Sequence, residues 1–203
     1  MKTPFARMSD DLMNQNNHLN QLLVLPSQRD HYQGILNAPI VLVEYGNYQC
    51  PQCREAHQLI QEIQQHFSSE FSEENLLCVV FRHFIDEHSA YPQAQKAAET
   101  AEAAAAQGQF WQMHNMLFTH QDALGNGYLV EYANHLGLDI CQFLQDLSKQ
   151  VHLDRINQDI ESGNQSGVTS APALFINGIR YRDLWNVEQL IAAIANASQF
   201  SDS

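Results

Sequence analysis

Two short runs of apolar, β-branched residues constrain this chain more than anything else in it: Ile40-Val41-Leu42-Val43-Glu44-Tyr45, and the stretch LLCVVFRHF from Leu76 to Phe84. Neither alternates apolar with polar residues as a half-solvated strand would, so each predicts a strand buried on both faces. Between them Gly46 and Asn47 turn the chain. From Pro51 onward Ala56, Leu59, Ile60, Ile63 and Phe67 recur at spacings of three and four, which predicts a helix with Pro at its first position. A strand, a helix and a second strand with roughly 30 residues between the strands fit a right-handed crossover and a parallel pair. The first half of the chain is therefore α/β.

From Tyr91 to about Ile160 the pattern turns wholly helical. Ala97 to Ala106 is almost an alanine run, Phe110 to Phe118 is aromatic-rich, Leu129 to Leu136 and Phe143 to Leu147 follow, and Gly108, Gly125, Gly127 and Gly137 punctuate them as helix ends. Strand patterning returns at Ala173 to Ile176 and Ile179 to Tyr181 around Asn177-Gly178, a strong two-residue hairpin signal. A last amphipathic helix carries Val187, Leu190, Ile191 and Ile194. The expected organisation is a polar arm over 1–30, an α/β unit built from 31–88 and 161–203, and a helical insertion over 89–160. The arm holds Asn14, Gln15, Asn16, Asn17 and Asn20, with Leu12, Leu19, Leu22 and Leu23 available for one helical face, and is expected to be frayed or loosely docked.

Charge narrows the partners. Ten Lys+Arg against 23 Asp+Glu give a net charge of −13, so the 203-residue chain has no basic footprint for nucleic acid or for an anionic membrane surface. No stretch approaches the ~20 apolar residues of a spanning helix. Lys2 is followed by Asp10, Asp11 and an Asn/Gln-rich tract instead of an apolar leader core, which favours a cytoplasmic protein, or a periplasmic one if the N-terminus was recut. Partners are expected to be proteins or small molecules.

Four cysteines are too few for a disulfide scaffold, and two of them form Cys50-Pro51-Gln52-Cys53. The first sulfur precedes the predicted helix and the second lies in its first turn, where unpaired N–H groups and the positive dipole end favour thiolate. Cys50 is expected to be the more exposed and the more acidic. Two cysteines so spaced can close a disulfide with little backbone movement, so a mixed disulfide made by Cys50 can be resolved by Cys53. The competing reading is half a zinc site, but zinc wants two further ligands and only His57, one turn from Cys53, is near in sequence. Cys78, in a strand, and Cys141, in a helix, read as small buried hydrophobes.

Glu44 is the one charge in an apolar strand, six residues before Cys50. Buried, its pKa would rise and it could carry a proton during exchange; the alternative is a solvent-facing strand end. Pro172 is either a trans residue opening a strand or a cis-proline that presents backbone to a substrate. His114 and His120 read as core-edge or surface residues, and His83 and His88 bracket the second strand's exit. None points to a Cys–His protease. Asp154, Asp159 and Glu161 look too scattered for a metal cage.

The segments VLVEYGNYQCPQC, FRHF, QGQFWQMHNMLF and GVTSAPALFINGIRY together resemble the DsbA-like thiol-disulfide oxidoreductases of the thioredoxin superfamily, over about residues 31 to 196. The resemblance implies a thioredoxin fold with an all-helical insertion between the second strand and the C-terminal β-hairpin. It implies Cys50 as nucleophile, Cys53 as resolving cysteine, Glu44 as buried acid and Pro172 as cis-proline, with Pro51, Gln52 and Ala171 beside Pro172 at the substrate. It implies no metal or organic cofactor, protein thiols and disulfides as substrates, and a redox partner or glutathione to reset the pair. Ser170-Ala171-Pro172 departs from the family's usual Gly-Thr-Pro and lacks its hydroxyl. Gln52 replaces the histidine of strongly oxidising members, and Asn47 stands where Asp is common, which together predict a milder oxidant. Two other classes fit less of the pattern: a binding or scaffold module whose cysteine pair is structural or metal-binding, and a glutathione-dependent transferase or isomerase.

Overall fold

A computed structural model describes residues 20–70, 76–86 and 91–199. In chain order the elements are β1 (His31–Gln33), β2 (Ile40–Gly46), α1 (Pro51–Glu70), β3 (Leu77–His83), α2 (Ala94–Ala105), α3 (Phe110–Thr119), α4 (Asn126–His135), α5 (Ile140–Lys149), α6 (Leu153–Gln165), β4 (Ala173–Ile176), β5 (Ile179–Arg180) and α7 (Val187–Gln199). The sheet order is β1-β3-β2-β4-β5. β2 and β3 run parallel from Ile40↔Leu77 to Gly46↔His83, as the two apolar runs predict, and β4 lies antiparallel on the other side of β2 with Glu44 opposite Leu174. Asn177 (φ 46°) and Gly178 (φ 81°) both take the left-handed conformation that a two-residue turn between twisted strands requires. The result is a thioredoxin fold with a helical insertion.

Period-two alternation sorts the strand residues between two layers. Ile40, Leu42, Val79, Leu174 and Ile176 face α1 and α7 through Leu59, Ile60, Ile63, Leu190 and Ile194. Val43, Tyr45, Cys78, Val80 and Phe175 pack on the opposite side with Phe84 and Val168. A third cluster joins Cys50, Cys53, Tyr48 and Phe81 to the insertion through Met113, Leu117, Phe118 and Ala101. The cysteine pair thus sits in the seam between sheet and insertion.

Several expectations change here. Residues 20–30 are docked: Leu22 is buried and its N–H donates to Gly178 O (2.8 Å), Gln21 bridges to Ile179, and the buried Arg82 guanidinium donates to Val24 O (2.8 Å) and to Asp30 Oδ1 (2.7 Å). Backbone acceptors and one aspartate hold what the polar composition marks as a loose arm. Leu12, Leu19 and Asn14 to Asn17 lie outside the described residues. β1 was not anticipated, since three residues are too few to show a period, and its antiparallel pairing to Val79–Phe81 defines it. The boundary at 160/161 falls inside α6, which runs unbroken and bonds the sheet through Ser162 Oγ and Tyr45 Oη (2.9 Å). Gly127 lies within the first turn of α4, not at its end. Cys141 is exposed, because Phe143 is the buried residue of α5 and two residues turn a helix by about 200°.

Candidate active site

The carboxyl end of β2 delivers the chain into a tight loop. Asn47 Oδ1 accepts from Gln49 N (2.9 Å) and Asn47 O from Cys50 N (3.1 Å), folding the loop back so that α1 starts at Pro51. Cys50 O then opens the helix by accepting from Cys53 N (3.0 Å) and Arg54 N (3.3 Å). The insertion grips the same loop. Gln121, just past α3 and buried, donates through Nε2 to both Tyr48 O and Cys50 O at 2.8 Å, and Tyr48 Oη pairs with His114 Nδ1 at 2.9 Å.

Both sulfurs are thiols, and both are buried: Cys50 is 3% exposed and Cys53 0%. Cys50 is the less buried of the two, as expected, and both pack into the seam with the insertion. The Cys50 thiol faces Gln52 Oε1 (3.4 Å) and Ala171 O (3.6 Å), and the Ala171–Pro172 peptide is cis. Cys53 Sγ accepts from Asn47 N at 3.4 Å. Pro51 and Gln52 are exposed, and Gln52, Glu55, Ala56, Leu59, Pro172 and Trp185 line a groove of about 370 Å³ beside the pair.

The two thiols titrate apart. The hydrogen bond from the Cys53 thiol lowers the Cys50 pKa to about 6 against its own burial, helped by the N–H groups of Cys53 and Gln52 and by the Tyr91 hydroxyl. Burial, first, and the donation of its proton to Cys50 push Cys53 far up. One thiol is thereby biased toward thiolate near neutral pH and its neighbour toward the protonated form.

Glu44 is 3% exposed, which rules out the solvent-facing alternative. Desolvation, then the Cys50 charge, raise its pKa to about 8, and its Oε1 has no hydrogen-bond partner. Gly46 keeps that space open: a Cβ there would lie 2.5 Å from the Phe81 ring and 3.2 Å from Glu44 Oε1.

The histidines also sit deeper than expected. His114 is buried behind Tyr48, and burial drives its pKa well down; His57, stacked on Phe118, falls to about 4 for the same reason. His83 is buried and shares Glu102 Oε1 with His31, each Nε2 at 2.8 Å. His120 is exposed and His88 lies outside the described residues. Asp159 is not scattered: it is buried, paired with Arg155 and bonded by His83 N (3.1 Å), and it gathers with His83 and Glu102 within 4.8 Å. Those donors already satisfy one another by hydrogen bonds, and Asp154, Glu161 and the cysteine pair stand apart from the group. Sequence reading also missed Tyr91 and Gln121, which meet the cysteine loop from a remote part of the chain.

A family model described as Thioredoxin matches residues 27–196. The chain belongs to the thioredoxin family. Its fold is shared with BdbD from Bacillus subtilis in the oxidised state (TM-score 0.73, 18% identity, 89% of this chain and 99% of that one). Wolbachia pipientis alpha-DsbA1 shares the fold to the same degree (TM-score 0.73, 20% identity, 88% and 96%). Among curated proteins it is similar to "Na(+)/H(+) antiporter NhaA 3" of Salinispora tropica (36% identity over 193 residues) and "Na(+)/H(+) antiporter NhaA 1" of Mycolicibacterium vanbaalenii (41% over 180 residues). The match covers 95% and 87% of this chain but only 28% of each of those proteins.

Proposed function

We propose that this protein is a thiol-disulfide oxidoreductase that exchanges disulfides with protein substrates through Cys50 and Cys53. The observation that carries the reading is the divergence of the two thiols, with Cys50 lowered to about 6 and Cys53 far above its ordinary value. At neutral pH Cys50 is then the thiolate that attacks a substrate disulfide; one substrate sulfur leaves as thiolate and a mixed disulfide forms. The Cys53 thiol passes its proton to the Glu44 carboxylate and attacks Cys50 Sγ, which releases the second substrate thiolate. Two electrons have moved to the substrate, and the reverse sequence oxidises a substrate dithiol. A Glu44 pKa of about 8 leaves both its protonation states populated near neutrality, which suits a group that takes and returns one proton.

Substrate polypeptide is assigned to the groove between Gln52 and Trp185, with Ala171 O and Pro172 as its backbone neighbours. The antiporter name of the curated relatives is not carried over. The chain spans 28% of those proteins, and among the described residues no helix is long and apolar enough to cross a membrane.

The test is the dithiol–disulfide equilibrium in glutathione buffers. A Cys50 pKa of about 6 lies between the roughly 7 of thioredoxin and 3.5 of DsbA, so the midpoint is expected between about −270 and about −120 mV. A value in the upper half of that range fits an oxidase in an oxidising compartment, and one in the lower half fits a cytoplasmic reductase. Cys50→Ser abolishes turnover in an insulin-reduction assay and Cys53→Ser accumulates mixed disulfides; turnover that survives Cys50→Ser overturns the proposal.

A further inference from the structure

The loop that carries Cys50 is held from outside the strand and helix it joins. Cys50 N donates to Asn47 O (3.1 Å), and Cys50 O accepts from Cys53 N (3.0 Å) and Arg54 N (3.3 Å), so local backbone ties the residue to the first turn of α1. Pro51 contributes no N–H. The further hold comes from the insertion. Both hydrogens of the Gln121 amide are spent on this loop, one on Tyr48 O and one on Cys50 O, each at 2.8 Å. Among the described residues no other side chain bonds either carbonyl.

The perch of Gln121 is itself built. Gln121 is 7% exposed and lies in a turn closed by Ala123 N on His120 O (2.8 Å), and the Tyr132 hydroxyl of α4 donates to Ala123 O (2.9 Å). His114 of α3 fixes the same loop through Tyr48 Oη (2.9 Å). Asp122 also reaches Arg54 Nη1 at 3.6 Å, but both side chains are exposed and the pair adds little. The loop is thus gripped at a side chain and at two backbone carbonyls, one of them that of Cys50 itself. With the peptide of Cys50 fixed on both sides, the direction of its Cα–Cβ bond is fixed, and Sγ is placed facing Ala171 O (3.6 Å). Sulfur exchange is demanding in this respect, because small misplacements of a reacting atom cost rate steeply.

We infer that Gln121 is a positioning residue of the exchange reaction: its amide holds the peptide of Cys50 in the orientation from which Sγ attacks. No proton or electron passes through the amide. The inference rests on the exchange reading above, and it extends the machinery of that reaction to a residue of the insertion 71 positions away in the chain.

Gln121→Met keeps the length of the side chain and removes both donors. Gln109→Met is its control: Gln109 Nε2 bonds Leu136 O (2.7 Å) at the other end of α3, so its loss weakens the insertion without touching the cysteine loop. The readouts are insulin reduction and the pH dependence of iodoacetamide alkylation, followed by mass on the Cys50 peptide, for which exchange activity is not needed. Gln121→Met is expected to lower kcat/KM about tenfold. Its Cys50 titration is expected to move up from about 6, as the N–H groups of Gln52 and Cys53 lose their alignment with the sulfur, while Gln109→Met keeps both parental values. Gln121→Asn, an amide one methylene short whose bonds water can complete, shifts both readouts the same way by less and serves in place of a Met variant that does not fold. Parental kcat/KM and titration in a folded Gln121 variant, or equal changes in Gln109→Met, overturn the role of Gln121 alone. A parent with no redox transition in glutathione buffers overturns the exchange reading instead.

Discussion

Glu44 and Glu102 are two carboxyls removed from water to nearly the same degree, 3% and 4% exposed, yet they end in opposite charge states. Glu44 stands in β2 with Oε1 unpartnered, so desolvation governs and its pKa rises to about 8. Burial raises Glu102 as well, but the hydrogen bonds from His31 and His83 outweigh it and hold the carboxyl well below the usual range. Burial thus sets the stakes and the donors set the sign. A carboxylate held by two imidazoles is fixed in charge and serves the fold, whereas one left without donors keeps an exchangeable proton beside the sulfurs.

The contrast can be broken most directly at the partnered site. Glu102→Ala leaves one buried and one half-buried imidazole facing a void and is expected to cost about 3–5 kcal/mol in urea unfolding, with the glutathione midpoint of the folded protein unchanged. A shifted midpoint would mean that Glu102 also serves the chemistry. Glu44→Gln should do the reverse, slowing resolution of the mixed disulfide on the order of a hundredfold in stopped-flow measurements while the protein stays folded. His83→Gln sharpens the comparison by weakening one of the two donors, with an expected loss of about 1–3 kcal/mol. The smallest effect is in the pH dependence of stability. Because the folded Glu44 holds its proton up to about 8 and the unfolded one releases it near the ordinary 4.5, unfolding releases a proton between those values. The Glu44 contribution to stability therefore falls as pH rises through that window and levels off above it, by about 1 kcal/mol between pH 7 and 9. Glu44→Gln removes this contribution, and thermal unfolding at pH 7 and pH 9 compares the two proteins.

Much of the architecture was legible because it is local. Runs of β-branched residues, three-and-four spacings and Asn177-Gly178 each report on residues within a turn or two, and strands, helices and hairpin follow from them. Glu44 was visible for the same reason, as a lone charge among apolar neighbours. Glu102 was not, since in the stretch Ala97 to Ala106 it reads as one more helix former, and its partners are 19 and 71 residues away in the chain. The docking of residues 20–30 was hidden likewise: most of its acceptors are backbone carbonyls, which carry no sequence signal, and its donor Arg82 lies at the end of a mostly apolar strand. Tyr91 and Gln121 reach the cysteine loop only through the fold, so residue type alone marks neither.

The amide of Gln121 has a mechanical meaning. It joins two layers, being carried by the helical insertion and bonded to two carbonyls of the loop that holds Cys50. Coupling of this kind acts equally in both directions. Any strain placed on the peptide of Cys50 is felt as a change in how firmly the helices are seated, and a load on the helices is felt at Cys50 by the same free energy.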